Sequence, residues 1–86
     1  MTRYSVEVSA TAERQLRKLS GTDQVRLLRT MRGLASDPRP PGCRKLSGYD
    51  DVFRVRVGRY RVVYAVEDRR LVVLVLKVGD RKDVYR

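Results

Sequence analysis

The feature that most restricts the fold of this chain is a predicted β-hairpin near its centre. Residues 52–57 alternate strictly between apolar and charged side chains from Phe53 onward, and residues 60–66 form a second run rich in strand-forming residues. Gly58 and Arg59 separate the two runs, and a two-residue loop with glycine first is typical of a type II′ turn. Such a turn fixes the register of the strands that it joins, so the pairing of the side chains can be predicted.

The predicted register sorts the side chains onto two faces, because residues directly opposite each other share a face. The opposed pairs are Val57 with Tyr60, Arg56 with Arg61, Val55 with Val62, and Arg54 with Val63. One face then forms an apolar floor for packed helices, made of Phe53, Val55, Val57, Tyr60, Val62, Tyr64 and Val66. The other face carries Arg54, Arg56 and Arg61, and we call it the arginine face.

The arginine face has two interpretations. Arg56 and Arg61 repel each other across the strands, but repulsion between solvated side chains is worth only about a few tenths of a kcal/mol. The three guanidinium groups can therefore simply splay into solvent. Alternatively they form a phosphate-binding site, because the planar fork of arginine matches the geometry of phosphate. We favour the second interpretation, since it gives the opposed like charges a use.

The charge of the whole chain agrees with an anionic partner. Twenty basic and ten acidic residues among 86 give a net charge of +10. Nucleic acid is the usual polyanion for such a surface, and the release of counterions drives its binding. A membrane surface, an acidic protein or a plain solvated surface are the alternatives.

Length and missing residue types exclude several classes of protein. A chain of 86 residues is expected to form one domain, residues 1–86, with little room for an internal cofactor pocket. The absence of histidine excludes serine–histidine–aspartate triads and nearly every zinc site. Cys43 is the only cysteine, and neither a membrane-spanning apolar run nor an apolar signal region is present. We therefore expect a cytoplasmic protein without a disulfide.

The first third of the chain predicts one strand and two helices. Residues 4–8 alternate as a half-buried strand does. A helix is expected over residues 10–19 with an N-cap at Ser9 or Thr11, and a second helix runs from an N-cap at Thr22 to residue 35. Its apolar stripe consists of Val25, Leu28, Met31, Leu34 and Ala35. Its solvent side carries Arg26, Arg29 and Arg32, which serve either solubility or the binding of a polyanion.

The remaining segments complete a small α+β domain. The proline-rich residues 37–42 break the helical pattern, and a short extended piece is expected at residues 45–48. The last strand, residues 71–78, is apolar on both faces and should be covered on both sides. If the tail beyond it returns to the sheet, Arg81 and Tyr85 can reach the arginine face. This order predicts an N-terminal strand and a two-helix antiparallel hairpin packed on one face of a mainly antiparallel sheet.

Several segments together resemble the RelE/ParE toxin superfamily, and most of all its RelE branch. They are Lys45-Leu46-Ser47-Gly48, Phe53-Arg54-Val55-Arg56-Val57-Gly58, Tyr60-Arg61-Val62-Val63-Tyr64 and Val78-Gly79-Asp80-Arg81-Lys82-Asp83-Val84-Tyr85. Each segment alone is a weak signal, but the set is fairly specific and covers essentially the whole chain. The resemblance implies a RelE-like fold and a toxin of a type II toxin–antitoxin system.

The RelE branch implies a ribosome-dependent endoribonuclease, an mRNA interferase. Its members cut mRNA in the ribosomal A site through attack of a ribose 2′-hydroxyl on the adjacent phosphate. The partners implied are a cognate RelB-like antitoxin, the ribosome and mRNA, with no membrane. No metal or cofactor is expected, because we see no carboxylate cluster that would hold a metal. The resemblance assigns catalysis to Arg54, Arg56, Arg61, Arg81 and Tyr85. We expect Arg61 and Arg81 to be exposed.

Two departures from the family pattern bear on the mechanism. Relatives often carry lysine at one or both of the first two positions, whereas this chain has Arg54 and Arg56, and arginine does not lose its proton. Removal of the 2′-proton then falls to Tyr85 or to a ribosomal group. The second departure is Asp80, where many relatives have histidine or lysine. We expect its carboxylate to hold Arg81, with a role as general base as the alternative.

Three other functions stay open on the sequence alone. A ParE-like protein of the same fold would bind DNA gyrase and cut nothing. A gyrase binder has no evident need for the arginine set, so we favour the nuclease. A plain RNA-binding module would use the basic sheet face without cleavage, and a toxin that has lost its activity is the third alternative.

Overall fold

The helices and strands follow the order predicted from the sequence. The computed structural model describes residues 3–80. They form β1 (Ser5–Val8), α1 (Ala10–Arg17), α2 (Gly21–Gly33), β2 (Arg44–Lys45), β3 (Val52–Val57), β4 (Tyr60–Glu67) and β5 (Val72–Asp80). The strands lie in one sheet in the order β1-β5-β4-β3-β2. Within residues 3–80, only β1 and β5 are parallel neighbours, so the α+β class and the mainly antiparallel sheet are confirmed.

Each helix begins at a serine N-cap. The Ser9 hydroxyl accepts a hydrogen bond from the amide of Ala12 at 3.1 Å, and the Ser20 hydroxyl accepts one from the amide of Asp23 at 3.3 Å. The predicted N-cap at Thr22 is therefore wrong, because the extended backbone that a cap requires lies at Ser20. Both helices also end two residues earlier than predicted. Neither helix is long and apolar enough to cross a membrane, among the residues that the structure describes.

The core lies between the two helices and one face of the sheet. It contains Ala12, Leu16, Leu27, Met31, Leu34, Phe53, Val55, Tyr60, Val62, Tyr64, Val66, Val73, Val75 and Val78. The predicted apolar floor is confirmed, with Val57 partly buried against it. The predicted stripe of α2 is partly wrong, because Val25 is 55% exposed, Leu28 is 37% exposed, and Leu27 is buried instead. The stripe starts at a polar residue, Gln24, whose side chain donates to the Leu19 carbonyl at 2.9 Å.

A β-bulge reverses the alternation of β5. Val63 pairs with Lys77, but the next residue of β4 pairs with Val75, which leaves Leu76 as the extra residue. Val75 and Val78 are therefore both buried, and Lys77 between them is exposed. The prediction that both faces of this strand are covered is confirmed for the face toward the helices. It is only partly correct for the other face, where Val72 and Leu74 are half-buried.

Helix α1 completes the hydrogen bonding of β5 where β1 ends. The Ser9 hydroxyl donates to the Leu76 carbonyl at 2.9 Å. Two residues further along β5, the amide of Val78 donates to the side-chain oxygen of Gln15 at 2.7 Å. Backbone groups at a sheet edge need such partners when they are withdrawn from water, so α1 fixes the part of β5 that leads to Asp80.

A polar cluster joins the proline-rich segment to the β4–β5 turn. The Tyr4 hydroxyl donates to Asp68 at 2.6 Å, and both terminal nitrogens of Arg39 donate to the same carboxylate at 3.2 and 2.9 Å. The hydrogen bonds from Arg39 and Tyr4 lower the pKa of the Asp68 carboxyl. The Arg39 guanidinium also lies 5.1 Å from the centre of the Phe53 ring. This cluster closes the end of the sheet opposite to the Gly58 turn.

Candidate functional site

The predicted hairpin register is confirmed. The pairs are Val57 with Tyr60, Arg56 with Arg61, Val55 with Val62, and Arg54 with Val63. Gly58 has a φ of +61°, which the first position of a type II′ turn requires. The register places the arginine face on the side of the sheet away from the helices.

The three side chains of the arginine face differ in exposure. Arg61 is only 8% exposed, whereas Arg54 is half-buried and Arg56 is exposed. The expectation that Arg61 is exposed is therefore wrong. Its strand, β4, is the middle strand of the sheet, so neighbouring strands flank its side chains on both sides. A charge withdrawn from water acts more strongly on a bound anion than a solvated charge does.

The sheet adds two basic residues that sequence reasoning missed. Arg44 of β2 pairs with Arg54, and Lys77 of β5 pairs with Val63. Arg44, Arg54, Val63 and Lys77 thus form one line across four strands, which we call the cross-sheet row. No local pattern indicates Arg44, because its strand has two residues. Lys77 was hidden by the bulge, since strict alternation would point it into the core.

Positive and negative side chains occupy opposite ends of the sheet face that points away from the helices, which we call the outer face. The next line of residues, farther from the Gly58 turn, is half-buried and apolar and consists of Val52, Ala65 and Leu74. Glu7 continues that line by pairing with Leu74, and Glu67 lies one line farther out. An anion is therefore attracted to the end of the sheet near the turn.

The turn itself is held by contacts from α2 and β5. The Tyr60 hydroxyl donates to Asp23 at 2.8 Å, and this hydrogen bond is the main cause that raises the pKa of Tyr60. The Arg59 side chain donates twice to one oxygen of Asp80, at 3.0 and 2.7 Å. Asp80 thus anchors the turn to the end of β5. Arg81 and Tyr85 lie outside the described residues, so the return of the tail and the contact of Asp80 with Arg81 stay predictions.

The described site is suited to binding an anion and stabilising negative charge. Its functional groups are guanidinium and ammonium groups, which donate hydrogen bonds and keep their charge at neutral pH. Fixed cations on a rigid sheet stabilise charge that develops on a phosphate during transfer. No three His, Cys, Asp or Glu side chains within residues 3–80 come together in a way that could hold a metal ion.

Comparison with known proteins identifies the family. The family model for the ParE toxin of the type II toxin–antitoxin system parDE matches residues 6–85. Toxin RelG of Mycobacterium tuberculosis is 33% identical over 96% of this chain and 97% of its own length. The mRNA interferase toxin RelE of Escherichia coli K12 is 31% identical over 95% of this chain and 90% of its own length.

Solved structures give the same result. The archaeal RelE–RelB complex from Pyrococcus horikoshii contains a chain that superposes with a TM-score of 0.84 at 28% identity, covering 96% of this chain and 100% of that one. A chain of the toxin–antitoxin complex RelBE2 from Mycobacterium tuberculosis superposes with a TM-score of 0.83 at 29% identity. The match covers 96% of this chain and 97% of that one. The resemblance seen in the sequence is confirmed, and the chain belongs to the ParE toxin family of type II toxin–antitoxin systems, within the RelE/ParE superfamily.

Proposed function

We propose that this RelE-like toxin is a ribosome-dependent endoribonuclease that cuts mRNA in the ribosomal A site. The observation that carries the proposal is the opposed pair of Arg56 and Arg61 on one rigid hairpin, which is suited to a phosphate. Relatives at about 31% identity that are named mRNA interferases support it. The proposal implies a cytoplasmic location, with ribosome and mRNA as partners. Solved relatives in complex with RelB support a RelB-like antitoxin as a further partner.

The reaction needs charge stabilisation and alignment more than a special nucleophile. The ribose 2′-oxygen attacks the adjacent phosphorus while the bond from phosphorus to the 5′-oxygen breaks, giving a cyclic phosphate and a 5′-hydroxyl. Arg61 and Arg81 bind the phosphate oxygens as negative charge grows on them. Arg54 and Arg56 steady the phosphate or the leaving oxygen. This reaction step needs no metal.

The two proton transfers fall outside the arginine face, because arginine neither gains nor loses a proton at neutral pH. Tyr85 or a ribosomal group takes the proton from the 2′-hydroxyl, and a ribosomal group donates a proton to the leaving 5′-oxygen. In this proposal Asp80 holds Arg81 and does not act as the general base, since Arg59 already donates hydrogen bonds to its carboxylate. Without a complete acid–base pair, the protein should cut naked RNA only feebly, and the ribosome should supply orientation.

The test is cleavage of mRNA by the purified protein with and without programmed ribosomes, with toeprinting to map the cut. We expect cleavage only on ribosomes and in the A site. Arg61→Ala should lose it, whereas Arg29→Ala, which removes an exposed arginine of α2, should keep it. Intact mRNA in both reactions with the parent protein would reject the proposal.

A ParE-like gyrase inhibitor is the second candidate, and the family model that matches residues 6–85 favours it. Such a protein has the same fold and no nuclease activity. A supercoiling assay with DNA gyrase distinguishes the two candidates. Inhibition of supercoiling together with intact mRNA on ribosomes would establish this second function.

A further inference from the structure

The cross-sheet row extends the basic surface beyond the residues assigned to catalysis. Arg44 lies at one end on β2, and Lys77 lies at the other end on β5, with Arg54 and Val63 between them. Neighbouring strands are about 4.8 Å apart, so the row spans about 14 Å. A few nucleotides of an extended single strand can cover that distance.

The fold does not explain why cations occupy the two ends of this row. Both side chains are exposed, and neither forms an ion pair with another residue among residues 3–80. Arg44 also stands directly opposite Arg54, and like charges in that arrangement cost stability. An anionic ligand that binds between them would remove this cost.

A shallow pocket lies beside Arg44. Its volume is about 320 Å³, and it is lined by Pro41, Gly42, Arg44, Val55 and Arg56. The pocket lies next to the part of β3 that β2 leaves unpaired, because β2 pairs only with Arg54 and Phe53. Two guanidinium side chains in the wall of one pocket suit a phosphate together with its ribose.

The bulge supplies the cation at the other end. Without the extra residue Leu76, the alternation of β5 would turn Lys77 into the core. Bulges often redirect a side chain next to a functional site. Here the bulge places an ammonium group on the outer face, separated from Arg54 only by Val63.

We propose that Arg44 and Lys77 bind backbone phosphates of the RNA on either side of the phosphate held by the arginine face, so that the strand crosses the sheet along the row. This inference rests on the proposed nuclease function and adds two binding residues to it. Neither residue touches the reacting phosphate. Contacts to flanking phosphates act on affinity and on the position of the strand, independently of its sequence.

Binding is measured separately from cleavage. The probe is a short single-stranded RNA with a 2′-O-methyl group on every ribose, which cannot be cleaved, and its affinity is followed by fluorescence anisotropy over a series of salt concentrations. Lys77→Gln and Arg44→Gln should each weaken binding several-fold. Each should also reduce the slope of log affinity against log salt by about 0.7, because the protein then neutralises one phosphate fewer on a single strand.

Lys45→Gln is the matched control. Lys45 is an exposed lysine of β2 next to Arg44, but it pairs with Phe53 on the helix side of the sheet. The charge change is the same as in Lys77→Gln, but it falls on the face away from the cross-sheet row, so this variant should keep the salt slope of the parent. On programmed ribosomes, Lys77→Gln and Arg44→Gln should raise KM while kcat stays within about twofold, because binding contacts away from the reacting atoms act on KM.

The outcomes separate this inference from the proposed function. Parent-like salt slopes in both variants would overturn the inference, even if the parent cuts mRNA on ribosomes. Reduced slopes in both variants but not in Lys45→Gln would support it, and if the parent then cuts no mRNA, only the nuclease proposal fails. Unchanged RNA binding with weakened binding of an acidic antitoxin peptide would also overturn it, because the row would then serve a protein partner.

Discussion

Arg56 and Arg61 lie directly opposite each other across β3 and β4, and Arg61 is only 8% exposed. Like charges in this arrangement are unfavourable, and more so where one of them is withdrawn from water. The core residues on the other face of the same strands, such as Val62, fix both backbones. The pair is therefore held in place by the fold, as electrostatic stabilisation of a developing charge requires.

The first prediction separates charge from shape at Arg61. Arg61→Lys keeps the positive charge and loses the planar fork that binds two phosphate oxygens at once. We expect a loss of at least about tenfold in cleavage on ribosomes for Arg61→Lys, from the removal of one charge-assisted hydrogen bond, and no detectable toxicity for Arg61→Ala. Growth arrest after induction and the cleavage assay measure both variants. Full toxicity of Arg61→Ala with a normal thermal melt would show that the site is assigned incorrectly.

The second prediction concerns the turn that brings the arginines together. Gly58 has a φ of +61°, and an added Cβ would lie 3.0 Å from a terminal nitrogen of Arg26. Because that nitrogen ends a flexible side chain, the backbone conformation dominates, and Gly58→Ala should cost about 1–2 kcal/mol of unfolding free energy. Urea denaturation measures this change.

Gly21→Ala provides the control for the turn. Gly21 is the first residue of α2, and an added Cβ there has nothing within 4 Å. It should leave the free energy of unfolding unchanged or raise it slightly, since alanine favours a helix over glycine. Equal stability of Gly58→Ala and the parent would contradict the type II′ turn.

The third prediction tests the support that α1 gives to β5. Gln15→Leu removes the oxygen that accepts the Val78 amide at 2.7 Å, and an unsatisfied buried donor costs about 1–3 kcal/mol. Gln15→Glu keeps an acceptor at the same place and should be the less destabilised variant. Denaturant unfolding compares the two, and hydrogen exchange of the Val78 amide should be faster in Gln15→Leu. An unchanged exchange rate would mean that this hydrogen bond does not protect the end of β5.

The parts of the fold that the sequence predicted correctly are those determined by local patterns. Alternation and a two-residue turn define the hairpin, and both are readable within residues 52–66. The stripe of α2 was misplaced because Gln24, a polar residue, lies on the core side. The prediction that Arg61 is exposed was wrong because burial depends on the order of the strands, which no local pattern contains. The same applies to Arg44, whose position on the outer face follows from the pairing of a two-residue strand.

The bulge at Leu76 shows a second limit. Counting alternate residues from Val73 assigns position 77 to the core, and one unpaired residue reverses that assignment. The local sign is Lys77 itself, since lysine is rarely buried, and that sign does not tell which residue of β5 is the extra one. Lys77 was consequently absent from the predicted site, although it lies on the same face as the arginines.

The last prediction uses the titration of Tyr64. Its hydroxyl donates to the Pro38 carbonyl at 2.8 Å, and burial is the main cause that raises its pKa above the ordinary value. The unfolded chain therefore loses this proton at lower pH than the folded chain does. The stability contributed by Tyr64 is complete below about pH 10 and is lost as the pH rises above that value.

Tyr64→Phe should consequently reduce the fall of unfolding free energy above about pH 10 and, at neutral pH, cost about 1 kcal/mol for the missing hydrogen bond. Part of the fall should persist, because hydrogen bonds to Asp68 and Asp23 raise the pKa values of Tyr4 and Tyr60 as well. Tyr49→Phe, at a side chain that is 60% exposed, should keep the free energy of unfolding of the parent at neutral pH, because substitutions at exposed sites change it little. Urea denaturation from neutral to alkaline pH measures all three proteins. A curve for Tyr64→Phe that parallels the parent throughout would show that the Tyr64 hydroxyl is not protected from ionisation in the folded protein.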